Sequence, residues 1–145
     1  MDFTIKESDI ETAVLVSKQI PELRNPHEIT EYYKRFENKI SLVLVAFADN
    51  RPVGFKAGYD RDGDGSFYSW MGGVIPEFRR HQVAKELAIY QEKWAKAQGF
   101  HALKFQTRNQ HKAMLIFALK NGFNIISVSP RDVVEEHRIL LQKTL

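Results

Sequence analysis

Residues Val74 to Ala84 read VIPEFRRHQVA and sit between an apolar run and an amphipathic one. A chain entering a helix at this point aims several unpaired backbone N–H groups at whatever precedes the first turn. Arg79, Arg80 and His81 add positive charge there. Together these are the ingredients of a phosphate-holding site. The competing reading is a solvated basic surface. Against it, cations at a helix N-terminus cost roughly a few tenths of a kcal/mol unless an anion answers them.

A second stretch invites metal chemistry. Asp60-Arg61-Asp62-Gly63-Asp64-Gly65 has the acidic positions 1, 3 and 5 and the glycine at 6 of a calcium loop, but position 12 is Met71, not the bidentate glutamate that completes an oxygen cage. A polar hairpin tip between Tyr59 and Phe67 accounts for the same residues through turn chemistry, and no metal is expected. The chain has no cysteine, which excludes disulfides, thiolate metal sites and a cysteine nucleophile.

The elements that must position these residues follow from periodicity. Phe3 to Lys6 reads as a short strand, and Ser8 with Glu11 forms a capping box for a helix through Gln19. Pro21 and Pro26 interrupt the chain, and Asn25-Pro26 suggests the cap and first turn of a helix through about Asn38. Its aromatic residues Tyr32, Tyr33 and Phe36 fall at helical spacing. Ser41 to Ala48 is a continuous apolar run, hence a strand covered on both faces. Asp49-Asn50 turns the chain into a strand from Pro52 to Tyr59, and Ser66 to Val74 completes an antiparallel meander.

Beyond the basic segment, Val83, Leu87, Tyr90, Trp94 and Ala97 recur at 4-3-4-3 spacing, so a helix lays a stripe on the sheet and stops at Gly99. Ala102 to Thr107 is the next strand, about Asn109 to Asn121 the next helix, and Gly122 its stop. Phe123 to Val128 and roughly Glu136 to Gln142 close the chain as strands.

Composition bounds the whole. At 145 residues with 43% hydrophobic content, the chain is expected to form one domain, residues 1–145, with a proper core. Asp2, Glu7, Asp9 and Glu11 interrupt the N-terminus, so it does not read as a signal peptide, and no later run could span a bilayer as a helix. A cytoplasmic protein without membrane attachment is expected. The net charge of +3 is unevenly placed: residues 1–74 hold nine Lys/Arg and twelve Asp/Glu, residues 75–125 nine and three. The positive charge follows the proposed phosphate segment, which argues against a general nucleic-acid partner and for a polyanionic ligand.

The segment Val74-x-Pro76 followed by Arg79 and Ala84 resembles the acyl-CoA signature of the GNAT N-acetyltransferase superfamily, with Gln82 where the first glycine usually stands. Asn109, Ala113 and the ending Lys120-Asn121-Gly122-Phe123 resemble the family's second block, in the same order and spacing. The resemblance implies an α/β (α+β) fold, a mixed, mostly antiparallel central sheet of about six to seven strands flanked by about four helices. It implies acetyl-CoA as co-substrate and transfer of the acetyl group to a primary amine by direct attack. The alternative is a catalytically silent acyl-CoA-binding or protein-interaction module of the same fold.

Carried over residue by residue, the resemblance makes the Val74 backbone N–H the oxyanion donor. Val74, Arg79, Arg80, His81, Gln82, Val83, Ala84 and Asn109 become the cofactor-binding set. Asn109 also suits a helix cap. Gln82 is compatible with a phosphate loop if its position needs only ordinary dihedrals. Tyr68 is the first choice for a base, because it lies six residues before Val74 on the strand leading into the carbonyl site and therefore points to the same face as Val74. Glu31 or an ordered water is the alternative base. Ala118 stands where many members carry a tyrosine that protonates the thiolate, which leaves that acid unassigned. Several members pair, so a homodimer stays open, as does the acceptor.

Overall fold

The computed structural model describes residues 2–23 and 27–145. In chain order the elements are β1 (Thr4–Glu7), α1 (Ile10–Ser17), α2 (Ile29–Phe36), β2 (Ser41–Ala48), β3 (Arg51–Tyr59), β4 (Ser66–Val74), a 3-10 turn (Pro76–Phe78), α3 (Val83–Ala97), β5 (Ala102–Arg108), α4 (Lys112–Lys120), β6 (Asn124–Ser129), a 3-10 turn (Val134–Glu136) and β7 (Arg138–Thr144). They form a seven-stranded sheet in the order β1-β2-β3-β4-β5-β7-β6, antiparallel throughout except for β4 and β5.

Local chemistry explains most boundaries. Asp49 and Asn50 both take positive φ, 49° and 65°, which is the type of tight hairpin the β2–β3 turn requires. Gly99 and Gly122 end α3 and α4 with φ of 97° and 91°. At each, the following aromatic N–H closes back on the helix, Phe100 on Ala95 O at 3.1 Å and Phe123 on Ala118 O at 3.0 Å, the double closure of a Schellman cap.

Three expected boundaries move. α1 is capped by Asp9, whose carboxylate accepts from Thr12 N at 2.8 Å, whereas Ser8 spends its N–H on Val43 O at 2.9 Å, joining β1 to β2. α4 starts at Lys112, not Asn109, because Asn109 N is bonded to His137 O across the sheet end. The last strand starts at Arg138, since Val134–Glu136 is a 3-10 turn. The expected Asn25-Pro26 cap lies outside the described residues.

Side-chain burial sorts into two layers. α1 and α2 cover one face through Ala13, Val16, Tyr32 and Phe36 against Val43, Val45, Phe55 and Tyr68. α3 covers the other through Val83 and Leu87 against Leu44, Phe67, Val74 and Leu103. β2, central and apolar, is buried on both faces as expected. α4 closes a smaller cluster with Ala118 on Ile139 and Leu141.

Candidate active site

β4 and β5 are paired only from Ser66, Phe67 and Tyr68 to Ala102, Leu103 and Lys104. Beyond those pairs β4 stays with β3, and β5 stays with β7 through Arg108, so the two central strands separate. Ser69–Gly73 and Lys104–Gln106 are accordingly part-exposed in the middle of the sheet. A central sheet that opens in this way has backbone groups on its inner edges with no strand to receive them.

The register shows which groups these are. Ile75 N donates to Val53 O at 2.8 Å, and β3 pairs with β4 as Gly54/Val74, Phe55/Gly73, Lys56/Gly72 and Ala57/Met71. Bonded and non-bonded pairs alternate in an antiparallel ladder, so Gly73 and Met71 bond to β3 while Val74 and Gly72 turn their N–H groups toward the opening. The two glycines differ in what requires them. A Cβ on Gly73 would lie 2.7 Å from Ile20 Cδ1 of the α1 side, a clash, whereas one on Gly72 would meet Phe55 O at 3.3 Å and Lys56 Cγ at 3.5 Å. The Ile20 methyl is the end of a side chain and can move, whereas Phe55 O is backbone, so each glycine has a close neighbour that a side chain would press on.

β4 also carries a bulge. Ala57 pairs with Met71 and Gly58 with Ser69, so Trp70 is an extra residue in β4. The bulge resets the alternation: Tyr68 packs on the α1–α2 side and Val74 on the α3 side. Tyr68 therefore does not share Val74's face, and the reason for choosing it as a base is removed. Burial pushes its hydroxyl above the usual tyrosine range, and the Arg61 guanidinium lies 3.7 Å over its ring. Glu31, the alternative, is held by Arg35 Nε at 2.9 Å. Arg35 also donates to Tyr59 Oη at 3.0 Å and stacks at 4.5 Å on Trp70, so this face is an aromatic wall organised by one arginine.

At the far end of the open half, the chain makes its 3-10 turn and enters α3. Gln82 caps α3 with φ 65° and ψ 15°, and Arg80 also has φ 66°, so the position does require the left-handed region and the expectation of ordinary dihedrals is corrected. Gln82 makes no side-chain cap, and Gln82 O accepts the first helical bond, from Glu86 N at 3.0 Å. The N–H groups of Val83, Ala84 and Lys85 therefore begin the helix as its free donors.

Arg79 behaves differently from the free cation read from sequence. Its two terminal nitrogens clasp Glu22, each at 2.8 Å, and its Nε donates to Val74 O at 3.1 Å. That pairing holds the Glu22 carboxyl below its ordinary range. The anion that answers Arg79 is thus a protein carboxylate. Arg80 and His81 line a crevice of ≈ 620 Å³ with Gln82, Glu86, Tyr90 and Lys93, which opens toward β1 and includes no β4 or β5 residue. Cavity volume alone does not mark the site here. The N–H row and the strand opening do.

Asn109 stands at the end of β5, on the opposite bank from Val74. Its side-chain amide donates to Val134 O at 2.9 Å, which fastens the bank to the loop before β7. Ala118 is buried against Ile139 and Leu141, so its methyl packs inward beneath α4. The calcium-like loop is a turn: Asp60 accepts from Gly63 N at 3.1 Å, and Asp64 takes Ser66 N at 3.0 Å and Lys104 Nζ at 2.7 Å. These bonds hold the Asp64 carboxyl well below its usual range.

Sequence reasoning missed Lys56, the one charge between Pro52 and Tyr59 in β3, and it missed Glu22. Lys56 is half-buried between its sheet partners Leu44 and Gly72. Burial alone pulls its ammonium down to about 8. A lysine in the middle of an apolar strand was the available signal.

Sheet order, parting central strands and a helix entered from β4 through a 3-10 turn together define an N-acetyltransferase fold. The chain belongs to the GNAT acetyltransferase family, whose sequence profile matches residues 11–123. No curated protein sequence matches it. Among solved structures, it is similar to an IAA acetyltransferase from Bacillus cereus, with 20% identity, 99% of this chain and 100% of that one covered, and TM-score 0.79. It is also similar to Ard1 from Thermoplasma volcanium (16%, 100% and 99%, TM-score 0.82) and to the PaiA N-acetyltransferase of Thermoplasma acidophilum in complex with coenzyme A (19%, 100% and 100%, TM-score 0.75). Family and fold make the chain an N-acetyltransferase by class. Among the described residues, no helix is long and apolar enough to cross a membrane.

Proposed function

We propose that the chain transfers an acetyl group from acetyl-CoA to a primary amine, with the cofactor lying in the opening between β4 and β5. The observation that carries this reading is the pair of N–H groups on Gly72 and Val74 facing that opening, in line with the free donors at the start of α3. The Val83 and Ala84 N–H groups, with Arg80, His81 and Gln82 beside them, hold the pyrophosphate. Asn109 borders the pantetheine arm from the β5 bank. Arg79 contributes by fixing the turn through Glu22 and Val74, not by direct phosphate contact.

An amine with an ordinary pKa of about 10.4 is almost wholly protonated near neutrality and must lose a proton before it attacks. Neither Tyr68 nor Glu31 is free to take it, so the proton leaves through water in the part-exposed opening. The nitrogen then attacks the thioester carbonyl, and the Val74 N–H, fixed in direction by the ladder, holds the developing oxyanion. Collapse breaks the C–S bond and gives the amide. The acceptor reaches this point past the wall of Trp70, Tyr59 and Arg35.

Calorimetric titration with acetyl-CoA tests the cofactor assignment. Micromolar binding by the wild type that is lost in Gly72→Pro supports it, and no binding by the wild type would falsify it. The silent-module alternative is favoured by the side chain on Gln82 at positive φ, which crowds the phosphate turn. Thiol release measured across a panel of amines separates the two: binding without release for every amine indicates the module.

A further inference from the structure

The two edges of the sheet are built differently. β1, at one end, is four residues long and carries Lys6 and Glu7, and shortness and charge are what keep a strand edge from pairing with another chain. β6, at the other end, is six residues long with neither charge nor proline, and every one of its residues is exposed.

The register shows that β6 continues the core without its cover. Phe105 of β5, Leu141 of β7 and Ile125 of β6 form one cross-strand row, and Thr107, Ile139 and Val128 form the next. Paired residues project to the same face, and a bulge at Ile126 puts Ile125 and Val128, three residues apart, on that face together. α4 lies over these rows with Ala118 on Ile139 and Leu141, which are 4% and 0% exposed. One strand further out, Ile125 and Val128 are 48% and 53% exposed. The helix thus stops short of β6 and leaves an apolar shelf along the edge. Ile116 and Leu119 of α4, and Val133 and Val134 of the loop before β7, are about half exposed as well. Six such side chains present on the order of 600 Å² per copy, at the top of the range for the largest apolar patch on an ordinary monomer.

We propose that this edge is covered by a second copy of the chain, packed β6 against β6 about a two-fold axis normal to the sheet. Such an axis makes the two strands antiparallel and keeps both α4 helices on one face. Ile125 of one copy then meets Val128 of the other on each side of the axis, and the two helices wall a shared apolar trough. The two shelves together bury on the order of 1,200 Å², the lower bound for a specific interface. Charge is arranged for the same pairing. Lys120 precedes β6, Asp132, Glu135 and Glu136 follow it, and among the described residues none of the four is in an ion pair. An antiparallel seam exchanges the ends of β6, so the basic end of each copy meets the acidic end of the other. None of this depends on where acetyl-CoA binds.

Sedimentation of the full chain from low to high micromolar concentration tests the proposal, with a mass of twice 16.8 kDa expected. A mass of 16.8 kDa at every concentration overturns it and leaves the shelf to a different chain. Open-ended association overturns it too, since a two-fold contact closes on itself. Ile125→Lys/Val128→Lys puts charge on the edge at sites already half exposed, and should weaken self-association at least about 100-fold without lowering the melting temperature of the dilute protein. Wild-type association by this variant places the contact elsewhere and overturns the proposal. Single cysteines map the seam independently, because the chain has none of its own. Ser127→Cys, mid-way along β6 and beside the axis, should oxidise to a disulfide-linked pair, whereas Thr4→Cys, exposed on the β1 edge, should stay single. Cross-linking of Ser127→Cys no greater than that of Thr4→Cys also overturns it.

Discussion

The two halves of β4 share one backbone and have opposite tasks. Ser66–Tyr68 is buried and paired with β5, Tyr68 with β3 as well, while Ser69–Val74 is paired with β3 alone and bordered by an opening on the other side. The difference lies in residue choice: Phe67 and Tyr68 fill both layers of the core in the first half, whereas Gly72 and Gly73 leave the second half bare. A single strand can thus anchor a fold and donate to a ligand, provided a bulge at Trp70 separates the two registers.

The contrast is broken most severely in the closed half. Phe67 is fully buried against Trp94 and Phe100, with ring centroids 5.2 Å from each. Phe67→Ala should cost about 3–5 kcal/mol of folding stability by urea denaturation, the range for aromatic truncation in a core. In the open half the loss should fall on binding instead. Gly72→Pro removes a cleft-facing N–H and no ladder bond, so coenzyme A affinity should drop about 100-fold, roughly 3 kcal/mol, relative to Gly72→Ala, which brings the same Cβ to 3.3 Å from Phe55 O, with the two variants melting alike. A further fall in stability from Gly72→Ala to Gly72→Pro would mean that the Gly72 N–H is bonded within the sheet.

Lys56 sharpens the comparison through pH. Its folded pKa, about 8, is below its unfolded value of 10.5, so between these limits the unfolded chain binds the extra proton. Stability from this group therefore rises with pH across that window, and below it the folded state bears the cost of a buried charge. Lys56→Met should be more stable than wild type near neutrality by about 1–3 kcal/mol, with the gap closing above pH 10 or so. Denaturant midpoints at two pH values check both the sign and the window.

Much of this was legible in the sequence because the deciding interactions are local. β2, β4 and α3 fall within the expected bounds, since an unbroken apolar run, a meander turn and a 4-3-4-3 stripe each carry their own period. The glycine caps of α3 and α4 are equally local. What failed depended on residues far apart in the chain. Tyr68 was placed on Val74's face by counting in twos, but a bulge adds a residue where β3 and β4 meet, and nothing in SWMGGV announces it. Asn109 was read as a helix cap, yet its partners are His137 and Val134, supplied by the return of the chain before β7.

Gln82 tests the turn where the open half ends. Non-glycine residues in the left-handed region carry a backbone cost of about 1–2 kcal/mol, and Gln82 has no side-chain bond to offset it. Gln82→Gly should raise stability by about 1 kcal/mol and tighten coenzyme A binding, by clearing the approach to the Val83 and Ala84 N–H groups. Tighter binding without added stability would place the effect on phosphate access alone.

The smallest effect belongs to the residue that first pointed to a phosphate. Arg79 and Glu22 are a bidentate pair with side chains 39% and 55% exposed, so water screens them and their contribution to stability should be under about 1 kcal/mol. Because Glu22 already answers its charge, Arg79→Ala should weaken coenzyme A binding only a few-fold, far less than Gly72→Pro, and equally for dephospho-coenzyme A. The Nε bond to Val74 O is what gives even this much, since it orients the peptide next to the proposed oxyanion donor. A large loss in Arg79→Ala, restored in the Glu22→Gln background, would show instead that the guanidinium exchanges its carboxylate for a phosphate on binding. The basic turn would then rival the open half of β4 as the source of affinity.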